Sequence, residues 1–364
     1  MPVVNNTNHT LSKGKRPLAV DEDDGGGLAE SSKKKKRSKS AAHVHEEGNA
    51  DADDDESSET TRTSLVCETL LNMSSKPVDN IDERDGVEAV VVAMLRRVHS
   101  ADVQHQACGA LSHLAITGEH DARIVDTGCV EAVVAAMKRH GSHAGVQHRA
   151  CAALYNLSRN AGIRCVIRAR IVVSGGVEAL VAAMKRHGSH VDVQQQACAA
   201  LYTLSRNAET RARIVVSGGV EALVAAMKSH GSHAGVQTEA CGALYNLSRN
   251  DEIRARIVVS GGVEAVVAAM KRHGSHAGVQ QQACGALSHL AITGEHDARI
   301  VDSGGVEALV AAMKRHGSHA RVQECARAAL CNLSRNAEIR ARIVDSGGVD
   351  ALPAATNPPP PPPQ

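Results

Sequence analysis

Several residue types recur at fixed intervals along this 364-residue chain, and each suggests a chemistry. Histidine pairs form five His-Gly-Ser-His turns: His140/His143, His187/His190, His230/His233, His273/His276 and His316/His319. Imidazole is a common zinc ligand, but a two-histidine loop supplies too few ligands for a tetrahedral site, so no metal is expected. Cysteine recurs at Cys108, Cys151, Cys198, Cys241 and Cys284. A disulfide needs Cα atoms within about 7 Å. Equivalent positions of stacked units lie farther apart, so these cysteines read as small buried hydrophobes. A further set combines Tyr155, Tyr202 and Tyr245 with Asn156, Asn246 and Asn332, and with Arg159, Arg206, Arg249 and Arg335 three residues beyond the asparagine position. Asparagine can donate to and accept from a ligand main chain. Tyrosine and arginine are the residues that anchor binding hot spots. Each has a plainer reading: asparagine on a solvated face, tyrosine packed between helices, arginine set against a helix C-terminus. Nothing here is catalytic. Catalysis needs one asymmetric constellation, and copying the same residues along a chain builds a ruler rather than an active site, so neither an enzyme nor a cofactor is expected.

The elements that carry these residues are repeats. Gly-Val-Glu-Ala and its variants place valine at 87, 130, 177, 220, 263, 306 and 349, at spacings of 43, 47, 43, 43, 43 and 43. Six full repeats follow (86–128, 129–175, 176–218, 219–261, 262–304 and 305–347), with a half repeat at about 64–85 and a stub to about 356. One unit reads as three helices: Glu252 to Val259, Val263 to His273 with Gly274 as its cap, and Val279 to Ala291. Four extra residues around Ile163 to Val166 are close to one helical turn and are expected to lengthen a helix while keeping its buried face. No unit can enclose a core alone, so stacking must bury one against the next. That explains a chain 43% hydrophobic yet without Phe or Trp: every layer copies one template that contains neither.

The unit resembles an armadillo repeat, with a short helix, a Gly-Gly turn, a second helix "GGVEALVAAM" and a third built on Ala-x-x-Ala-Leu-x-Asn-Leu, over about residues 64–356. The resemblance implies an all-α, right-handed superhelical solenoid whose third helices line a concave groove. It also implies a groove that holds extended segments of partner proteins, with the asparagine position contacting them. Thr203, His113 and His289 depart from that asparagine. Importin alpha carries tryptophan four residues earlier, where this chain has Gly109, Ala152, Ala199, Gly242, Gly285 and Ala328. Cation–π slots cannot be built from glycine and alanine, so import-adaptor function is not expected. The arginine row favours an acidic extended ligand. The rival function is a targeting or adaptor subunit of a ubiquitin-ligase, cytoskeletal or transport complex that works through the convex face or the tails.

The formal net charge of +1 hides segregated tails. Within residues 1–63, the basic run Lys33, Lys34, Lys35, Lys36 and Arg37 precedes an acidic block from Glu46 to Glu59. Such composition reads as a disordered tail. The basic run resembles a nuclear localisation signal read by an import receptor, which places the chain in the nucleus, the cytoplasm or both. Residues 357–364 carry Pro358 to Pro363, a polyproline segment for an SH3-, WW- or profilin-type domain. No apolar run reaches the ~18 residues of a membrane span, no secretory leader is legible, and neither membrane nor nucleic acid is an expected partner.

Overall fold

The computed structural model describes residues 86–117, 121–159 and 163–352. The tail at 1–63 with Lys33, Lys34, Lys35, Lys36 and Arg37, the half repeat at 64–85, and Pro358 to Pro363 lie outside the described residues. Regular structure among the described residues is helical throughout, in the expected three-helix order. The second helices are Gly86–Arg96, Cys129–Arg139, Gly176–Arg186, Gly219–Ser229, Gly262–Arg272 and Gly305–Arg315. The third helices are Ala101–Thr117, Ala144–Arg159, Val191–Leu204, Ala234–Leu247, Ala277–Leu290 and Ala320–Leu333. Between them run first helices Asp121–Asp126, Arg164–Val173, Ala208–Val216, Asp251–Val259, Asp297–Asp302 and Ala337–Asp345. The third helices pack directly on one another in an unbroken row, which makes the array an α-solenoid.

Each helix follows from its sequence. In Gly262–Arg272 the residues Val263, Val266, Val267 and Met270 are buried at helical spacing. Asn250 begins the preceding first helix by accepting a hydrogen bond from the Ile253 amide, a regular N-cap. The Gly-Gly turn has two separate requirements. Gly261 sits at φ +80, in the left-handed region. A Cβ on Gly262 would lie 2.5 Å from Cγ2 of Ile257 and 2.8 Å from its carbonyl oxygen. The second helix does not end as the sequence suggests: His273 is its C-cap, and Gly274 is absent from the positive-φ glycines. The four-residue insertion also behaves differently. It lengthens no single helix by a turn: Arg164–Val173 has 10 residues against 9 in Asp251–Val259, and Ala144–Arg159 has 16 against 14 in Ala234–Leu247. Two of the extra residues fall in the third helix and one in the first helix that follows.

Repeated polar ties close each junction. Buried Gln280 donates from Nε2 to the carbonyls of Met270 (2.9 Å) and His273 (3.0 Å), satisfying the last turn of the second helix. Gln104, Gln147, Gln194, Gln237 and Gln323 do the same in their repeats. The histidine turns are structural. Nε2 of His273 bonds the Gly231 carbonyl of the preceding turn at 2.8 Å, and His140, His187, His230 and His316 repeat this along the array. The second histidine of a turn, such as His276, accepts from the Val279 amide through Nδ1 and so caps the third helix. On the outer side Glu221, Glu264 and Glu307 of second helices pair with Arg256, Arg299 and Arg342 of the following first helices.

Candidate functional site

The third-helix row brings tyrosine, arginine and one carboxylate together on a single face. Tyr202 lies across the following helix: a Cβ on Gly242 would come 3.0 Å from the ring, a tight approach that would push the ring aside by a few tenths of an ångström. Tyr245 rests over Gly285 in the same way. The Tyr202 hydroxyl reaches farther still and accepts from Nε2 of Gln282, two repeats along, at 3.3 Å. The contact spans the intervening repeat, so side chains of alternate third helices meet on this face. All three tyrosines are half-buried against the core on one side. Their own arginines cover the other: Arg159, Arg206 and Arg249 stand 5.1, 5.5 and 5.6 Å from the Tyr155, Tyr202 and Tyr245 ring centroids. The rings pack between helices, as the plainer reading of tyrosine expects, and also carry an arginine over their outer face. All three arginines are exposed, and Arg159 also donates to the Tyr155 hydroxyl at 2.9 Å.

The other predicted residues lie elsewhere in the geometry. Asn246 is only 6% exposed, and its amide donates to the Tyr202 carbonyl and the Ser205 hydroxyl of the preceding repeat, both at 3.2 Å. Asn156 donates to Ser112, and Asn332 to the Ser288 carbonyl. Thr203 and His289 occupy the same position and also bond the previous repeat, at Ser158 and Tyr245. The position is an inter-repeat tie, and the expectation that its asparagines face a ligand is corrected: their amide protons already have partners inside the array. Arg335 also leaves the row. Cys331 replaces the tyrosine beside it, and Arg335 donates to the Ile292 carbonyl and to Asn332 Oδ1.

The site also holds a residue that sequence reasoning missed. Glu239 stands on the third helix where other repeats carry Gln106, Arg149, Gln196, Gln282 and Cys325. Burial pushes its carboxyl above the ordinary carboxylate range, while the Arg159 guanidinium opposes that shift. Burial, reinforced by Glu239, raises Tyr155 as well. Its signal in the sequence was the lone acid in an otherwise Gln-rich column. The recurrent cysteines are buried and free, and burial pushes the Cys108 and Cys241 thiols up to about 12, which leaves them inert at neutral pH. Among the described residues no three His, Cys, Asp or Glu side chains gather to hold a metal ion, and no helix is long and apolar enough to cross a membrane.

One buried acid is not explained by the groove. Asp297 stands where the neighbouring repeats carry Arg254 and Arg340. Arg254 donates to the Ser248 carbonyl at a third-helix end, whereas Asp297, 7% exposed, has an Oδ1 with no hydrogen-bond partner. Burial raises its carboxyl to about 6, against an opposing pull from Arg335. A folded-state value above the unfolded one means that folding favours the protonated acid. This contribution is complete below the ordinary carboxyl value of 3.8 and is lost as pH rises through about 6. Thermal melts should therefore show a lower Tm at pH 7.5 than at pH 5 from this group, and Asp297→Asn should remove that part of the difference.

The comparisons agree with this geometry. The family model described as LRRK2 ARM repeat matches residues 118–304 and, in a second register, 172–352. The chain belongs to the armadillo-repeat family. Two engineered proteins with crystal structures from a structural-genomics consortium resemble this armadillo array. The first is 32% identical with a TM-score of 0.58, covering 68% of this chain and 96% of its own. The second is 33% identical with a TM-score of 0.62, covering 78% and 68%. A structure solved for the phosphorylation-controlled interaction between cadherin and beta-catenin is 20% identical with a TM-score of 0.50, covering 82% of this chain and 62% of its own, a likeness of fold alone. No curated protein matches the chain. An armadillo array is in general a scaffold for protein interaction, and solenoids of this kind are typically not enzymes.

Proposed function

We propose that this armadillo array captures an extended, acidic segment of a partner protein along the face built by its third helices. The observation that carries the reading is the three-step stack of Arg159 on Tyr155, Arg206 on Tyr202 and Arg249 on Tyr245. Each step offers an exposed guanidinium over a ring, and the Tyr202 and Tyr245 rings are themselves seated on the next helix. Such preorganisation lowers the cost of ordering the arginine when it meets a carboxylate. Helices stack about 8–10 Å apart and an extended chain advances about 3.3 Å per residue. Each step thus reads two or three ligand residues, and three steps span six to nine. The same reading assigns Lys33, Lys34, Lys35, Lys36 and Arg37 to a nuclear import receptor, and Pro358 to Pro363 to a polyproline-binding domain.

The test uses a fluorescein-labelled Glu-rich peptide as probe and fluorescence anisotropy as readout. The full chain should bind it, with affinity falling as salt rises. Tyr202→Ala with Arg206→Ala should weaken binding about tenfold, while circular dichroism stays that of the parent. Equal affinity for the double variant would remove the support for this groove.

A further inference from the structure

One junction between second helices differs from the rest. Gly86–Arg96, Cys129–Arg139, Gly176–Arg186, Gly262–Arg272 and Gly305–Arg315 all end in arginine, whereas Gly219–Ser229 ends in serine. Between Ser229 and the following second helix lies a cavity of about 390 Å³. One wall is apolar and built from Met227, Ala265 and Ala269, all buried. The other is polar and built from Ser229, Ser232 and Arg272. An apolar pocket with a few convergent polar groups is the usual form of a small-molecule site.

The polar wall is uncommitted. Ser229, Ser232 and Arg272 are exposed, and their side chains make no hydrogen bond or ion pair among the described residues. Arg272 reaches back over the preceding turn, where a Cβ on Gly231 would lie 4.0 Å from its Nε. Its counterpart Arg139 bonds Nδ1 of His99 at 3.0 Å, at the turn position that Ser232 holds here. Gln237 also lines the cavity, but its amide already serves the Met227 and His230 carbonyls. The Lys228 amine stands by Gly261, 3.1 Å from where a Cβ would lie, and adds a second positive charge nearby. A guanidinium and two hydroxyls are donors enough for the three oxygens of a phosphate ester, and the guanidinium fork matches two of them.

We propose that the cavity between Ser229 and Arg272 binds a small phosphate monoester with an aryl or short alkyl body. Arg272, Ser229 and Ser232 receive the phosphate, and Met227, Ala265 and Ala269 receive the body. An arginine at 229, as in the other second helices, would put a long side chain on the polar wall, so Ser229 is the residue that keeps the cavity open. The site is built on second helices, separate from the third-helix groove, and does not depend on what the groove binds.

Phenyl phosphate titrated into the full chain, followed by saturation-transfer NMR of its ring protons, tests this. Saturable binding is the expected result. Ser229→Arg installs the residue of the sister repeats, so the chain should fold as before while binding weakens about tenfold or more. Arg272→Met keeps the stem and removes the charge, with a loss of about tenfold. Each half of the ligand alone should do worse. Phenol should bind about tenfold more weakly, and inorganic phosphate should displace the ester only at about tenfold higher concentration. Circular dichroism should show the parent's helix content in both variants, since Ser229 and Arg272 are exposed. Absence of saturable binding, equal binding to Ser229→Arg, or phenol binding as tightly as the ester would overturn the proposal. So would a phosphotyrosine peptide that binds more tightly than phenyl phosphate, since the ester would then come from a protein.

Discussion

Reversing Arg206 and Arg249 together to glutamate should lower affinity for a Glu-rich extended probe about a hundredfold and create a preference for a Lys-rich one. Two attractive contacts are removed and two repulsive ones put in their place. The arginines are exposed, so little of this change is a folding effect. The stacked tyrosines remain seated on Gly242 and Gly285 and keep the groove floor in shape. Anisotropy with both probes at two salt concentrations reads the result. A loss of binding to both probes alike would point to damage to the array rather than to a charge-reading groove.

Gly262→Val should be among the most destabilising single changes in the chain. Its Cβ would meet Ile257 at 2.5 Å, and the opposing atoms are a buried branched carbon and a backbone carbonyl, neither free to move. Overpacking of this kind costs about 3 kcal/mol or more. Because an array's stability is summed over repeats and their junctions, the damage should concentrate at one junction. Hydrogen exchange should show lost protection in Gly262–Arg272 and in Ala277–Leu290, which packs on it, before distant repeats respond. Gly274→Ala is the contrast. The nearest atom to its Cβ would be the Met270 carbonyl oxygen at 3.8 Å, so the melt should be unchanged or slightly raised.

The contrast between these glycines shows what was legible in the sequence. Period, helix order and helix bounds within a residue or two could all be read, because duplication repeats the same apolar spacing and the same Gly-Gly stop in every unit. Which partner a polar side chain chooses could not. Asn246 has the spacing of a groove residue, but its amide finds Tyr202 and Ser205 in the preceding repeat, a contact fixed by stacking and invisible within one unit. Gln280 follows a core valine and looks like a surface residue, yet it is buried because it completes the end of the second helix. The histidine turns, read only as too poor in ligands for a metal, form a ladder between units that the spacing did not reveal. The tyrosines pack between helices as their plainer reading expects, and the ring that packs on Gly242 is also the platform under Arg206. In each case the missing information is the register between repeats, which spacing along one chain does not contain.

The central claim is that an acidic extended chain lies along the third helices. Site-specific photo-crosslinking tests it most directly, with benzoylphenylalanine placed by Tyr202→benzoylphenylalanine and, separately, by Val216→benzoylphenylalanine. Irradiation with the Glu-rich probe should give a cross-linked product from position 202 that excess unlabelled probe suppresses, and none from position 216. Cross-linking from position 216 with position 202 silent would contradict the account.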